Sequence, residues 1–256
     1  CMTAIFNLLL YKPIFNLLVV LYNVIPGHDL GVVILLLTII IRAILYPFTG
    51  ASIKAQKSMQ ELQPKLAEIN EKYKTEPQKR AQATMELYKT HKVNPLTSCL
   101  PVLIQLPFLI ALFLVLRDGI ASTNLAQNLY PFVQNPGQLS PISLGFLDLS
   151  KPNYVLAVLA GLAQFWQAKS MMRKQPPKEA GTGAKDESIT AAMNKQMLYM
   201  MPVLTVILGF RFAAGLTLYW FLSTALMVAQ QWLMNRKNKP NTPKDEPKVI
   251  EGQIVP

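Results

Sequence analysis

Five apolar runs decide what this chain can fold into, because each approaches the ~20 residues that a helix needs to cross a bilayer core. The first is Gly31 to Phe48, the second Leu96 to Leu116 and the third Tyr154 to Ala168. The stretch from Met197 to Met234 holds the fourth and fifth. It is divided near Arg211 by Ala213, Ala214 and Gly215, small residues that suit a tight turn between antiparallel helices. With 51% hydrophobic and only 15% charged residues, the chain carries more apolar surface than a soluble domain of this size hides. A bilayer-spanning chain satisfies its backbone polar groups within helices. The expected fold is an all-α membrane protein, a five-transmembrane-helix bundle.

The polar stretches between the runs set the topology. Residues 50–94 contain Met59, Leu62, Leu66, Ile69 and Tyr73 at alternating three- and four-residue spacing, which makes one apolar helix seam. Thr75-Glu76-Pro77 breaks it, and Ala81, Met85 and Tyr88 resume it. This predicts a helical hairpin standing off the membrane, with Pro64 kinking its first arm or marking a restart. Segments 175–190 and 237–256 are rich in Pro, Gly, Lys and acidic residues and read as disordered. The net charge is +11. The hairpin, the segment Lys169 to Lys195 and the tail from Arg236 together hold 20 of the 25 basic residues. Five spans put all three on one side, and the excess of Lys and Arg makes that side cytoplasmic.

The expected order is therefore an N-terminal extracytoplasmic segment over 2–28, span 1 over 30–49 and the cytoplasmic hairpin over 50–94. Span 2 over 95–117, an extracytoplasmic loop over 118–152 and span 3 over 153–170 follow. A cytoplasmic loop over 171–196, spans 4 and 5 over 197–212 and 214–234, and a basic cytoplasmic tail over 235–256 complete it. Met2 to Ile25 is apolar but interrupted by Lys12-Pro13. It is read as an amphipathic helix lying in the outer interface; a sixth span, with the N-terminus inside, is the rival reading. Cys1 is either the lipid-bearing residue of a mature lipoprotein or a residue ahead of a start at Met2. Cys1 and Cys99 give no disulfide framework and no metal-binding pattern.

Arg42 stands out inside span 1, with no acidic residue near it in sequence. A guanidinium at mid-membrane costs ~2.5–3.5 kcal/mol on insertion scales. Either its long stem snorkels toward the cytoplasm or it serves a polar cavity. Thr38, Gln105, Gln164, Tyr219, Trp220 and Ser223 are the groups that would line such a cavity if their faces converge. Each alone is ordinary helix-to-helix glue. There is no GxSG serine, no aspartate in a span and no phosphate-binding GxxxxGK[ST] loop, and His28 and His91 lie outside the spans. No covalent catalysis, cofactor or metal is expected. A solute transporter or a non-transporting scaffold also accommodates these features.

The residues also resemble the YidC/Oxa/Alb family of membrane protein insertases, in order along the chain from about Pro13 to Arg236. Ile39-Ile40-Ile41-Arg42 with Tyr46-Pro47 looks like the first core span and its groove arginine. Leu62-Gln63-Pro64-Lys65 resembles the start of the hairpin. Tyr88-Lys89, Val93-Asn94-Pro95-Leu96, Cys99-Leu100-Pro101 and Leu103-Ile104-Gln105-Leu106-Pro107 are similar to the most distinctive stretch. Met201-Pro202, Gly215-Leu216, Leu218-Tyr219-Trp220 and Gln230-Gln231 resemble the last two spans. Thr97-Ser98 stands where a glycine pair is frequent, and Arg211 where the turn is often aromatic. A large periplasmic domain is missing from this sequence, so the resemblance is to the compact form.

The resemblance implies a bacterial inner-membrane protein, N-terminus outside and C-terminus inside, acting as a monomeric unit and no enzyme. It implies a hydrophilic groove with a central arginine, open to cytoplasm and lipid. Implied partners are nascent membrane proteins and membrane lipids, with the Sec translocon and the ribosome as further candidates.

Overall fold

The computed structural model describes residues 2–94, 96–121, 125–171 and 196–237. Cys1, residues 172–195 of the expected cytoplasmic loop and residues 238–256 of the tail lie outside them. The N-terminal helix runs as α1 (Met2–Phe6), a π-helical turn (Asn7–Tyr11) and α2 (Lys12–Val24). Pro13 falls in the first turn of α2, directly after the π-helical turn, where the Lys12 N–H reaches back five residues to the Asn7 carbonyl and the helix absorbs the proline's missing N–H. Then come α3 (Leu30–Glu61), α4 (Gln63–Lys72), α5 (Pro77–Thr90), α6 (Leu96–Ala121), β1 (Ile142–Ser143), β2 (Leu147–Asp148) and α7 (Tyr154–Met171). After a π-helical turn (Gln196–Met200), α8 (Met201–Gly209) and α9 (Ala214–Lys237) close the order.

Helix α3 does not stop where span 1 was expected to end. No helix breaker follows Gly50 until Pro64, so the helix continues out to Glu61 and forms the base of the hairpin. It pauses at Leu62 and restarts with Pro64 in the first turn of α4. The α4–α5 hairpin turns at Tyr73–Glu76, and Lys65 Nζ meets His91 Nε2 at 3.1 Å across its arms. Of the expected seam only Leu62 is buried; Met59, Leu66, Ile69 and Tyr73 are half-buried, Pro64 is exposed, and α4 and α5 bury no residue at all.

The bundle differs. Its core joins Phe15, Leu18 and Val19 of α2 to Leu30, Val33, Ile34 and Leu37 of α3. Ala111, Leu112 and Val115 of α6 and Ala214 and Tyr219 of α9 complete it. Leu125, Val133, Leu139 and Leu149 of the loop after α6 pack into the same cluster. This core fills one end of the bundle, where α3, α7 and α9 begin and α6 and α8 end. The end of α6 and the loop after it are tied along the N-terminal helix by a ladder of bonds. Tyr11 of the π-turn donates to Asp118 of α6 at 2.8 Å, Asn16 to the Asn128 carbonyl at 3.0 Å and Asn23 to the Gln134 carbonyl at 2.7 Å, and Tyr22 accepts from the Ser140 N–H at 2.9 Å.

Helices α7 and α8 approach closely through small residues. A Cβ on Gly161 would collide with Val206 and come 3.2 Å from the Pro202 carbonyl, and one on Gly209 would lie 2.7 Å from Ala157. Ala157 and Gly161 are four apart, the spacing that lets membrane helices touch backbone to backbone.

Three described stretches, Ala4–Val24, Leu30–Met59 and Leu103–Ile120, are long and apolar enough to cross a membrane. Helix α7 has 18 residues, α9 24 and α8 only nine. Glutamines and hydroxyl residues dilute α7 and α9, and α9 carries much of the candidate site.

Candidate functional site

Helices α3 and α9 run parallel, both beginning at the core-filled end. Arg42 Nε and Nη2 both donate to Ser223 Oγ, at 2.9 and 2.6 Å. Seven residues further along each helix, Thr49 Oγ1 donates to Gln230 Oε1 at 3.0 Å, and Gln230 Nε2 reaches the Tyr46 carbonyl at 3.2 Å. Seven residues are two turns, about 10 Å, so the two polar bridges stack along one seam. Arg42 is half-buried and Ser223 buried.

One turn before Ser223, the fully buried Tyr219 accepts a hydrogen bond from Gln105 Nε2 of α6 at 2.7 Å. Its phenol also interacts electrostatically with Arg42. The structure thus joins Arg42, Ser223, Tyr219 and Gln105 into one cluster fed by three helices. Trp220, half-buried on α9, follows Tyr219 directly.

The other two expected groups are engaged elsewhere. Thr38 is fully buried and donates to the Ile34 carbonyl of its own helix at 2.6 Å. Gln164 is hydrogen-bonded to Thr205 and so links α7 to α8.

Among the described residues no carboxylate pairs with Arg42. Two of its five N–H donors are spent on one hydroxyl, which carries no charge. Pro47, one turn beyond, has no N–H to offer the Ala43 carbonyl, which leaves a second polar group at this depth. Uncompensated charge inside an apolar bundle is costly and is normally paired or wet.

Several polar contacts escaped sequence reasoning. Thr49, Ser52, Gln230 and Gln231 are buried toward the far end of the α3–α9 seam, and Ser170 donates to Gln231 Oε1 at 3.1 Å. The signal for Thr49 and Gln230 was their position two turns after Arg42 and Ser223. Among the described residues no group of His, Cys, Asp or Glu is arranged to hold a metal ion.

Fold and site together define a multi-pass membrane protein with a charged, carboxylate-free polar seam inside its bundle. Residues 20–242 match the family model described as 60Kd inner membrane protein. A protein of Fusobacterium nucleatum named Membrane protein insertase YidC is 38% identical over 209 residues, 82% of this chain and 87% of that one. Proteins of the same name from Methylobacillus flagellatus and Polynucleobacter asymbioticus are 34% and 37% identical over 89% of this chain. The chain spans only 36% of the length of those two relatives. The chain belongs to the YidC/Oxa family of inner-membrane proteins, the 60Kd inner membrane protein family.

Proposed function

We propose that this protein inserts nascent membrane proteins into the bilayer, as the names of its relatives suggest, and that Arg42 receives the polar end of the incoming chain. The single observation that carries the site is a guanidinium inside the bundle that, among the described residues, meets the hydroxyl groups of Ser223 and Tyr219 and no carboxylate. A carboxylate of a substrate tail arriving at ~4 Å would gain up to about 4 kcal/mol at an effective dielectric of ~20, before desolvation. That offsets part of the cost of drawing a polar tail into the membrane. The substrate's own apolar helix then partitions into lipid, the dominant driving force. No covalent step is needed, and the protein works as an insertase rather than an enzyme.

The proposed topology keeps five spans, α3, α6, α7, the π-turn with α8, and α9, with the core-filled end outside. Apolar packing closes that end, whereas toward the other end buried polar groups (Thr49, Ser52, Ser223, Thr224, Gln230 and Gln231) are interleaved with Leu45, Ile53 and Met227 along α3 and α9. Such a gradient suits a groove closed outside and open to the cytoplasm. The Ala4–Val24 helix is proposed to lie at the outer interface, because its Tyr11, Asn16, Tyr22 and Asn23 side chains bond to residues between Asp118 at the end of α6 and Ser140 of the loop that follows. The α4–α5 hairpin, through Met59, Leu62, Pro64, Leu66 and Tyr73, is proposed to receive the substrate. Its basic surface, together with the tail, is proposed to meet anionic lipid, the Sec translocon or the ribosome.

The test is reconstitution into liposomes with a single-span protein bearing a short acidic tail. Protease protection of the tail above that in empty liposomes is the expected result; equal protection in both, with a folded protein, would reject the insertase reading.

A further inference from the structure

The loop between α6 and α7 holds a feature that insertion does not use. Its β1–β2 hairpin closes with Ser143-Leu144-Gly145-Phe146, where the Phe146 N–H donates to the Ser143 carbonyl at 3.2 Å. Leu144 has φ 54° and Gly145 φ 80°. A turn with both central residues left-handed favours Asn-Gly, yet here a leucine is held in that conformation. Asp29 imposes it, accepting from the Leu144 N–H and the Ser143 hydroxyl at 2.6 Å each. The consequence is an apolar tip turned away from the protein: Leu144 is 66% exposed and Phe146 79%.

The position of that tip is fixed by the starts of three helices. Asp29 also caps α3 through the Gly31 and Val32 N–H groups. The Leu149 and Lys151 carbonyls accept from Gly215 and Ala214 at the start of α9. Asn153 caps α7 by accepting from the Leu156 N–H at 3.0 Å. Residues 143–153 therefore lie at the level where α3, α7 and α9 begin. Tyr154 and Val155 at the start of α7 are themselves exposed and apolar, so this level carries further apolar surface beside the tip. The sequence agrees independently: the 29 residues from Gly119 to Leu147 contain no charged side chain. An aqueous loop of that length ordinarily carries several, and their lack removes the main penalty against lying in a headgroup region.

We propose that Leu144 and Phe146 form a lipid anchor, seated in the leaflet at the end where α3, α7 and α9 begin. The anchor sets the depth of the loop that closes this end of the bundle. The occupant is the headgroup–acyl boundary of the bilayer, about 5–10 Å deep, as for other monotopic anchors. On the topology proposed above this is the outer leaflet. The anchor does not depend on that assignment or on insertion activity.

The experiment makes Phe146→Trp in a chain with Trp166→Phe and Trp232→Phe, and reads it as the difference from the same chain with Phe146 intact, in which Trp220 alone emits; both are reconstituted in phosphatidylcholine vesicles containing lipids brominated near the headgroup end of the acyl chain. The expected result is blue-shifted emission of the added Trp, with bromolipid quenching at least about two-fold stronger than iodide quenching. Leu144→Trp is read in the same way, so that failure of one variant to fold leaves the other. Iodide quenching of both with no response to bromolipid would overturn the anchor, including by showing a tip that faces water or awaits a protein partner. Measuring insertion on the same vesicles separates the two proposals, since depth is read whether or not a substrate is inserted.

Discussion

The core-filled end of the bundle and the α4–α5 hairpin are built from the same helical material but obey different rules. In the bundle, Phe15, Leu18, Leu112 and Val115 are fully buried, from two helices that meet a closing loop. In the hairpin, α4 and α5 bury nothing, and its long-range links are contacts such as Lys65 to His91 at the surface. The difference teaches where rigidity is needed. On the proposed function, an arginine that takes up substrate must be held in place against its desolvation cost, which requires packed helices, whereas an arm that receives unlike substrates would gain from having few contacts to break.

Cutting one core side chain tests that contrast most strongly. Phe15→Ala is expected to destabilise the bundle by about 3–5 kcal/mol, against about 1 kcal/mol or less for Leu66→Ala in the hairpin. Thermal denaturation midpoints in the same micelle measure both; equal shifts would erase the distinction. Overpacking comes next. Gly161→Leu should cost about 1–3 kcal/mol by forcing α7 from α8, whereas Ala81→Leu on the exposed side of α5 should leave the midpoint nearly unchanged.

A smaller loss, about 1–2 kcal/mol, is expected from Tyr219→Phe, which leaves the Gln105 amide without its partner inside the bundle. Double-mutant analysis with Gln105→Leu should recover part of it.

The smallest effect is a pH response at Asp29. Burial alone would raise its pKa, but the Leu144 N–H, the Ser143 hydroxyl and the Val32 and Gly31 N–H groups outweigh burial and hold it below the ordinary carboxylate value. The folded state therefore favours the charged form. That stabilisation is complete above about pH 4, near the unfolded pKa, and is lost as pH falls through the lower folded value. Asp29→Asn should lower the denaturation midpoint at neutral pH and flatten its fall on acidification; an unchanged acid limb would remove Asp29 from the account.

Much of the architecture was legible because apolar length and period are local signals. Arg42 and a break near Arg211 could be found in the sequence, although Ala214 and Gly215 begin α9 rather than form the turn, and Pro64 was readable as a kink or restart. The clustering of Arg42 with Ser223, Tyr219 and Gln105 could be nominated but not demonstrated, since it depends on the rotation of three helices. Thr38 and Gln164 show the ambiguity: a hydroxyl or amide in a span satisfies itself locally, or bridges to another neighbour, as readily as it lines a cavity. The boundary between span 1 and the hairpin was illegible for a different reason. Residues 51–61 are good helix formers, so α3 does not end where the membrane ends. Asp29 gave no warning either, because its hold on Ser143 and Leu144 joins two irregular segments more than a hundred residues apart.

The central claim is that the unpaired charge at Arg42 takes up the polar end of a substrate, and one measurement tests it directly. Protease protection of a tail carrying two aspartates is compared in liposomes holding the wild type, Arg42→Lys and Arg42→Ala, beside the same tail with asparagines. The account predicts at least about a ten-fold loss of protection rate for Arg42→Ala with the acidic tail, equivalent to one ion pair worth about 1.4 kcal/mol in the transition state. It also predicts substantial retention with Arg42→Lys, and little dependence on Arg42 for the neutral tail. Equal protection of the acidic tail by wild type and Arg42→Ala, with both proteins folded, would contradict it.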